Sequence, residues 1–201
     1  MSNIELNLSS NTFSHNRAVN GGALYIEDGT NIDNTTNKTI SIENNTFNEN
    51  IAEDFGGAIY TNFNKLNLAT TNDNSFSYNT AGIMGGGVYS SCLLNENIFN
   101  ISNNKIINNT VNSHVENFSS KPKYISFNKE KSLNVTIGEY LPLSFTLLDT
   151  DNNIVNDYTK YYSITLKLIL ESKDIDNIPN YYMTGNIGSF IHGKKLSFIF
   201  I

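Results

Sequence analysis

The fold is decided by a stretch that the chain repeats, residues 11–25, which read NTFSHNRAVNGGALY. Residues 45–60 read NTFNENIAEDFGGAIY, and residues 74–89 read NSFSYNTAGIMGGGVY. The shared pattern is N-[TS]-F-x-x-N-x-A, a short gap, and then G-G-[AG]-[LIV]-Y. A weaker fourth copy follows at residues 104–111, where Ile106 replaces the phenylalanine and Val111 replaces the alanine. Self-similarity at a period of about 30 residues is typical of stacked-repeat architectures.

The copies are preceded by short segments in which apolar residues alternate with polar ones, at residues 4–8, 40–43, 66–68 and 98–101. A period of two predicts strands, and the high content of Asn and Gly disfavours helices. A repeat of this length is enough for three short strands and three turns. We therefore predict an all-β region of three to four coils over residues 1–117, wound as a parallel β-helix. The crossover rule for parallel strands predicts right-handed winding.

Stacked coils place equivalent residues directly above one another, because neighbouring strands of a sheet lie about 4.8 Å apart. Repeated apolar positions should therefore form columns that point into the coil. The predicted columns are Phe13, Phe47, Phe76 and Ile106; Ala18, Ala52, Ala81 and Val111; and Leu24, Ile59 and Val88.

A polar position recurs three residues after each aromatic one and is always asparagine: Asn16, Asn50, Asn79 and Asn109. Asparagine tolerates the left-handed conformation, and its amide can bond a neighbour above and below. We predict a turn-forming ladder, with ligand binding as the alternative. The glycine pairs at 21–22, 56–57 and 85–86 predict positive φ at another corner. A phosphate cradle is the alternative for these pairs, although no Lys or Ser/Thr follows at the P-loop spacing.

The pairing of Phe-x-x-Asn with Gly-Gly-Ala-Ile resembles the motifs of the chlamydial polymorphic membrane proteins, and such repeats also occur in large, Asn-rich protist surface proteins. The matching segments are 13–16 with 21–24, 47–50 with 56–59, and 76–79 with 85–88. The resemblance covers roughly residues 1–117. It implies a right-handed parallel β-helix of the pectin-lyase-like type. It also implies adhesion and surface display, without a known active site.

Residues 118–201 differ in composition and begin with a boundary signal around Pro122. Strand-like runs at 124–127, 133–137, 143–148, 163–170 and 196–201 are separated by turn signals. Short strands at this spacing predict an antiparallel sandwich. Residues 138–155 are similar to bacterial and filamin-like immunoglobulin-fold modules. We predict an immunoglobulin-like module over 118–201 that lacks its last strand.

The charge distribution and the search for targeting signals limit the functions that the sequence supports. Residues 1–117 hold four basic and eleven acidic side chains, with Arg17 as the single arginine of the chain, which argues against nucleic-acid binding. The first residues do not read as a signal peptide, and no apolar run is long enough to span a membrane. We interpret the sequence as a piece of a longer extracellular or cell-surface protein, with membrane attachment only through regions absent from it.

The tyrosines that end each copy are the candidate binding residues: Tyr25, Tyr60 and Tyr89. Each follows an aliphatic residue predicted to face inward, so strand alternation sends the tyrosines outward. A surface tyrosine ladder could stack on sugar rings or on a partner protein. The alternative is that the ladder packs under a loop.

The pectin-lyase-like fold also carries polysaccharide enzymes, which need clustered carboxylates. Glu49, Glu53 and Asp54 form such a trio, but only in the second copy, so a solvated turn is favoured over a catalytic pair. Cys92 is alone in the chain and is interpreted as a small buried residue, not a nucleophile.

No metal or cofactor site is predicted. The three histidines His15, His114 and His192 are far apart in sequence and lie in different contexts. Asp149 begins a segment that imitates a calcium-binding loop, but Lys160 stands where the loop needs Glu, so a hairpin turn is favoured. Sequons permit glycosylation in a secreted context without showing it.

The sequence therefore predicts a non-enzymatic adhesin or structural repeat protein, secreted or on the cell surface. Its expected partners are glycans or proteins of a host or cell surface. The alternative is a polysaccharide lyase or hydrolase of the pectin-lyase-like fold.

Overall fold

A computed structural model describes residues 4–27, 38–62, 69–91, 103–127, 136, 138, 140–169 and 184–200. The described residues form strands, turns and no α-helix. The chain divides into two compact units. The first is Met1–Lys121 with Asp149–Asn153, and the second is Pro122–Leu148 with Ile154–Ile201.

The first unit contains four sheets that run along the stack of coils, and each of the first three coils contributes one strand to each sheet. Sheet A contains β1 (Ile4–Ser9), β5 (Lys38–Glu43) and β9 (Ala69–Asn72). Sheet B contains β2 (Thr12–Ser14), β6 (Thr46–Asn48), β10 (Ser75–Ser77) and β13 (Lys105–Ile107). Sheet C contains β3 (Arg17–Asn20), β7 (Ile51–Phe55), β11 (Thr80–Ala81), β14 (Thr110–Val111) and β15 (His114–Val115). Sheet D contains β4 (Leu24–Glu27), β8 (Ile59–Asn62), β12 (Val88–Ser90) and β16 (Phe118–Ser120).

Strand pairing between coils is parallel throughout these sheets, except that β15 pairs with β14 in the antiparallel sense. The prediction of stacked parallel strands is confirmed, and the arrangement is consistent with a β-helix. A coil uses four strands, however, where the sequence predicted three. The alternating segments at 66–68 and 98–101 lie outside the described residues.

The predicted apolar columns form at sheet spacing. Phe13 pairs with Phe47, and Phe47 pairs with Phe76. Their ring centroids are 5.0 Å and 4.8 Å apart, with interplanar angles of 6° and 2°. The alanine column continues into Val111, and the aliphatic column continues into Phe118, which pairs with Val88. These columns bury the apolar side of each coil against its neighbours, which is how stacked repeats gain stability.

Asparagine side chains form two continuous ladders. In the predicted one, Asn50 Nδ2 donates to Asn79 Oδ1 at 2.9 Å and to the Phe13 carbonyl at 3.0 Å. The Asn50 backbone N–H donates to the same Asn79 Oδ1 at 2.9 Å. A second ladder, which the sequence analysis missed, repeats this bonding through the first asparagine of each copy. Its members are Asn11, Asn45, Asn74 and Asn104.

The ladder asparagines do not make the turns, which corrects one prediction. Positive φ falls on the residue before each of them, at His15, Glu49, Tyr78 and Asn108. The ladder needs the asparagine side chain to point inward, so the residue before it adopts the left-handed conformation that turns the chain. The glycine prediction is correct: Gly56 has φ of 68°, and its equivalents in the other two copies are also positive. The second glycine of each pair is required for space, since a Cβ on Gly57 would collide with the Gly86 carbonyl oxygen.

The fourth coil closes the predicted ladder without a glycine pair. The chain turns back at residues 112–115, and Asn117 Oδ1 accepts from Asn109 Nδ2 at 3.0 Å. Glu116 Oε1 accepts from the Gly85 N–H at 2.9 Å. Because β16 then pairs with β12, the first unit extends to Lys121, beyond the predicted limit at residue 117.

The Asp149–Asn153 segment is a turn built around one buried carboxylate. Asp149 is 1% exposed and accepts from the N–H groups of Ser120, Asp151 and Asn153. Burial, and secondly the charge of Asp149, raises the pKa of the Asp151 carboxyl. These bonds support the predicted turn over a calcium loop.

The second unit contains only antiparallel pairs among its described residues. One sheet contains β17 (Tyr124–Phe127), β18 (Tyr140–Leu148) and β21 (Lys194–Phe200), and a second contains β19 (Thr165–Lys167) and β20 (Ile187–Ser189). Leu143 and Phe145 form a small core with Leu166, Leu168 and Phe190. Antiparallel strands agree with the sequence analysis, whereas the immunoglobulin-like topology stays a prediction. The predicted strand at 133–137 lies mostly outside the described residues.

We predict that Asn79→Ala destabilises the first unit far more than Asn16→Ala. Asn79 is fully buried, and its loss removes the acceptor shared by the side-chain amide and backbone N–H of Asn50 and the donor to the Phe47 carbonyl. The expected loss is about 2–4 kcal/mol, against less than about 1 kcal/mol at the exposed Asn16. Urea denaturation measures both. Equal losses would contradict the role assigned to the ladder.

We predict that Tyr78→Asn stabilises the first unit. Tyr78 has φ of 55° and is 55% exposed, so the substitution relieves backbone strain and removes little packing. The expected gain is about 0.5–1 kcal/mol. Val19→Asn, at an exposed strand position of the same unit with ordinary φ, is the control and should bring no gain. The same urea titration decides between these outcomes.

Candidate functional site on the tyrosine face

The outer surface of sheet D carries the candidate site, here called the tyrosine face. Leu24 and Ile26 point toward the core, so alternation sends Tyr25 and Glu27 outward. The next two coils repeat this geometry. The tyrosine face therefore has an aromatic column and a polar column two residues further along each coil: Tyr25, Tyr60 and Tyr89, then Glu27, Asn62 and Ser91.

The tyrosine rings stack on one another along the coil axis. The centroids of Tyr25 and Tyr60 are 4.8 Å apart with an interplanar angle of 9°, and those of Tyr60 and Tyr89 are 5.7 Å apart at 23°. Each ring covers part of the face of the next, so the side of the column presents ring edges and hydroxyls. A ligand that stacks flat on an aromatic face is thereby restricted to the Tyr25 end of the column.

Exposure falls along the column. Tyr25 is 48% exposed and Tyr60 is half-buried, but Tyr89 is 1% exposed and lies 4.6 Å from the Phe55 ring. The outward ladder predicted from sequence is therefore accessible at two positions. At Tyr89 the prediction of an exposed side chain is wrong, because packing against Phe55 removes it from solvent.

The polar column links the coils through hydrogen bonds. The Tyr25 hydroxyl donates to Glu27 Oε2 at 3.1 Å, and Asn62 Nδ2 donates to Glu27 Oε1 at 3.4 Å. Ser91 Oγ donates to Asn62 Oδ1 at 2.7 Å. Sequence reasoning missed this column, although its members all lie two residues after a repeated tyrosine. The network fixes the orientation of the Tyr25 ring beside a carboxylate.

The environment of Tyr25 opposes ionisation of its hydroxyl group. Partial burial, followed by the hydrogen bond to Glu27 and the charge of that carboxylate, raises the pKa of the Tyr25 hydroxyl above its ordinary value. The tyrosine face thus combines an oriented aromatic ring with a carboxylate, an amide and a hydroxyl. Such a set can bond the hydroxyls of a sugar or the polar groups of a protein surface.

Two of the three carboxylates weighed as a catalytic trio, Glu49 and Glu53, lie beside basic side chains of the first coil. Glu49 Oε2 lies 3.0 Å from His15 Nε2, and Glu53 Oε1 lies 3.5 Å from an Arg17 guanidinium nitrogen. Both pairs are solvent-exposed, so each contributes little to stability. Among the described residues, no group of three or more His, Cys, Asp and Glu side chains could hold a metal ion. Cys92 lies outside the described part.

The asparagines of the glycosylation sequons differ in whether the fold leaves their side chains exposed to modification. Asn7, Asn44 and Asn108 are exposed. The amide of Asn117 accepts from Asn109 in the ladder, so modification there would disrupt the last rung. The remaining sequons, at Asn34, Asn37, Asn100 and Asn134, lie outside the described residues.

Comparison with known proteins supports the repeat assignment. Residues 12–27 and 46–62 match the model of the Chlamydia polymorphic membrane protein repeat. The chain carries repeats of this type. The match confirms the resemblance seen in the Phe-x-x-Asn and Gly-Gly motifs and includes the Tyr25 and Tyr60 strands of the tyrosine face.

A longer relative is also similar. Over 155 residues, the chain is 29% identical to a transmembrane domain-containing protein of Dictyostelium discoideum. The alignment covers 77% of this chain and 9% of that protein. No solved structure matches the chain. In the described segments, we find no helix with the length and hydropathy needed to cross a bilayer.

We predict that Tyr25 titrates later than the exposed tyrosines and that Glu27→Gln lowers its pKa. Since burial also contributes, the shift should be reduced but not abolished. A raised folded-state pKa means that the unfolded chain loses this proton first, so stability should fall as pH rises above about 10. Site-resolved NMR of tyrosine ring carbons measures the titration. An unchanged Tyr25 pKa in the variant would contradict the link to Glu27.

Proposed function

We propose that the chain is a non-enzymatic recognition module of a cell-surface or secreted protein, and that it binds its partner through the tyrosine face. The observation that carries the proposal is the pair of accessible stacked rings, Tyr25 and Tyr60, beside the Glu27 and Asn62 polar groups. Exposed aromatic side chains next to fixed hydrogen-bonding groups are a common basis of recognition.

The repeat type supports a surface location, since the polymorphic membrane protein repeat suggests a surface protein. The name of the Dictyostelium relative, a transmembrane domain-containing protein, is consistent with a membrane-attached architecture. The chain spans about a tenth of that relative's length. In the proposed role, stacked coils hold the tyrosine face at a fixed spacing, and attachment to a membrane comes from other parts of a longer chain.

The proposed ligands are glycans or proteins on a host or neighbouring cell. Two parts of the tyrosine face suit two different kinds of contact. The open face of the Tyr25 ring suits stacking on a sugar, while the ring edges, hydroxyls and the polar column suit hydrogen bonding along the coils. Because coil spacing is about 4.8 Å, a partner with polar groups along an extended chain contacts successive rungs.

We predict that Tyr25→Ala combined with Tyr60→Ala lowers binding to a glycan array, or to cells that the chain binds, by at least about tenfold. Both side chains are accessible, so the loss should occur without unfolding. Tyr78→Ala is the matched control, since Tyr78 is an exposed tyrosine of the same unit outside sheet D. Circular dichroism checks that each variant folds.

Two results would oppose the proposal. Binding that survives in the double variant would exclude the tyrosine face as the contact. Cleavage of a polysaccharide by the chain, lost in Glu49→Gln, would instead establish the enzymatic alternative.

A further inference from the structure

The second unit contains a cavity of about 270 Å³, and no residue of the tyrosine face lines it. Leu147, Val155 and Phe190 give it an apolar lining, and Lys160 and His192 are among its polar lining residues. A concave site with an apolar lining and a few polar groups is the usual form of a small-molecule site. Its volume suits a ligand of about one ring.

Backbone strain marks the two nitrogen-bearing residues of this lining. Lys160 has φ of 58°, a conformation that favours Gly or Asn. His192 and Gly193, with φ of 47° and 68°, form a tight turn closed by hydrogen bonds between Ile191 and Lys194. Asn is the residue preferred at the His192 position of such a turn. Positive φ also occurs at ten other non-glycine residues of the described chain, so at Lys160 and His192 it fixes the turns beside the cavity and identifies substitutions that the backbone favours.

Other side chains around the cavity are held in place by contacts within the protein. Asp157 Oδ2 accepts from the Tyr162 N–H at 2.6 Å, and Asp157 Oδ1 accepts from Thr159 Oγ1 at 2.9 Å. The Tyr158 ring lies 4.7 Å from the His192 ring. The carboxylate is therefore already engaged in holding the loop. Lys160 and His192 are the two basic residues of the lining, which also includes Tyr162, Ser163, Thr165 and Ser189.

We propose that this cavity binds a small organic ligand in which a carboxylate is attached to an apolar body. The ammonium group of Lys160 and the imidazole of His192 supply donors for the carboxylate. The apolar lining takes the body of the ligand. This site does not depend on the function proposed for the tyrosine face.

The test uses the full chain with benzoate as the probe and benzamide as its neutral counterpart. Ligand-observed NMR titration should show benzoate binding with a Kd in the millimolar range, and benzamide binding about tenfold more weakly or less. Millimolar affinity is reasonable for a ligand with so few heavy atoms.

The decisive variants are Lys160→Gly and His192→Asn. Each introduces a residue that its backbone conformation prefers, so the second unit should melt at a temperature equal to or higher than that of the unmodified chain. Each should nevertheless bind benzoate about tenfold more weakly. Loss of binding without loss of stability separates a ligand-binding role from a structural one.

Asn152→Gly is the control, since Asn152 also has positive φ, at 64°, but does not line the cavity. It should leave benzoate affinity unchanged. The proposal is overturned if benzoate fails to bind at about 10 mM, if benzamide binds equally well, or if both lining variants keep the original affinity.

Discussion

The constraint on which the first unit depends is that a buried asparagine amide must find all its partners in adjacent coils. Asn79 accepts from the coil before it and donates to the coil after it and to the Phe47 carbonyl. An unsatisfied buried amide costs about 1–3 kcal/mol, so the register between coils cannot slip without losing several such bonds at once. The apolar columns supply most of the burial, and the ladders supply the register. Stacking of every other column follows from that register.

The tyrosine face inherits its geometry from the same constraint. Rings held one coil apart are close to van der Waals spacing, so they cover one another and leave edges and hydroxyls on the side. An isolated surface tyrosine would offer a face instead. Packing between coils then sets the exposure of each ring: Phe55 of the second coil contacts Tyr89 of the third, whereas Tyr25 stays exposed. Recognition on this face is thus shaped by the repeat spacing as much as by residue type.

The parts predicted from sequence are those that repeat. Phe47 and Asn50 recur at constant spacing, so their columns follow from the period alone. The burial of Tyr89 could not be foreseen, because Phe55 belongs to the variable gap between the two motifs. The end of the fourth coil could not be foreseen for a related reason, although its start at residues 104–111 was predicted. There Asn117 reaches the ladder from a returning hairpin, at a spacing that no other copy uses.

The two kinds of corner explain which motif positions are fixed. Positive φ alone does not require glycine here: His15, Glu49 and Tyr78 all adopt it, because the ladder asparagine that follows each one holds the backbone from both sides. Their side chains point to solvent, so these positions vary freely. Gly57 differs because the next coil's backbone occupies the place of its Cβ. The ladder asparagine and the second glycine of each copy therefore mark contacts between coils, whereas the residue before each ladder asparagine varies because the ladder compensates its strain.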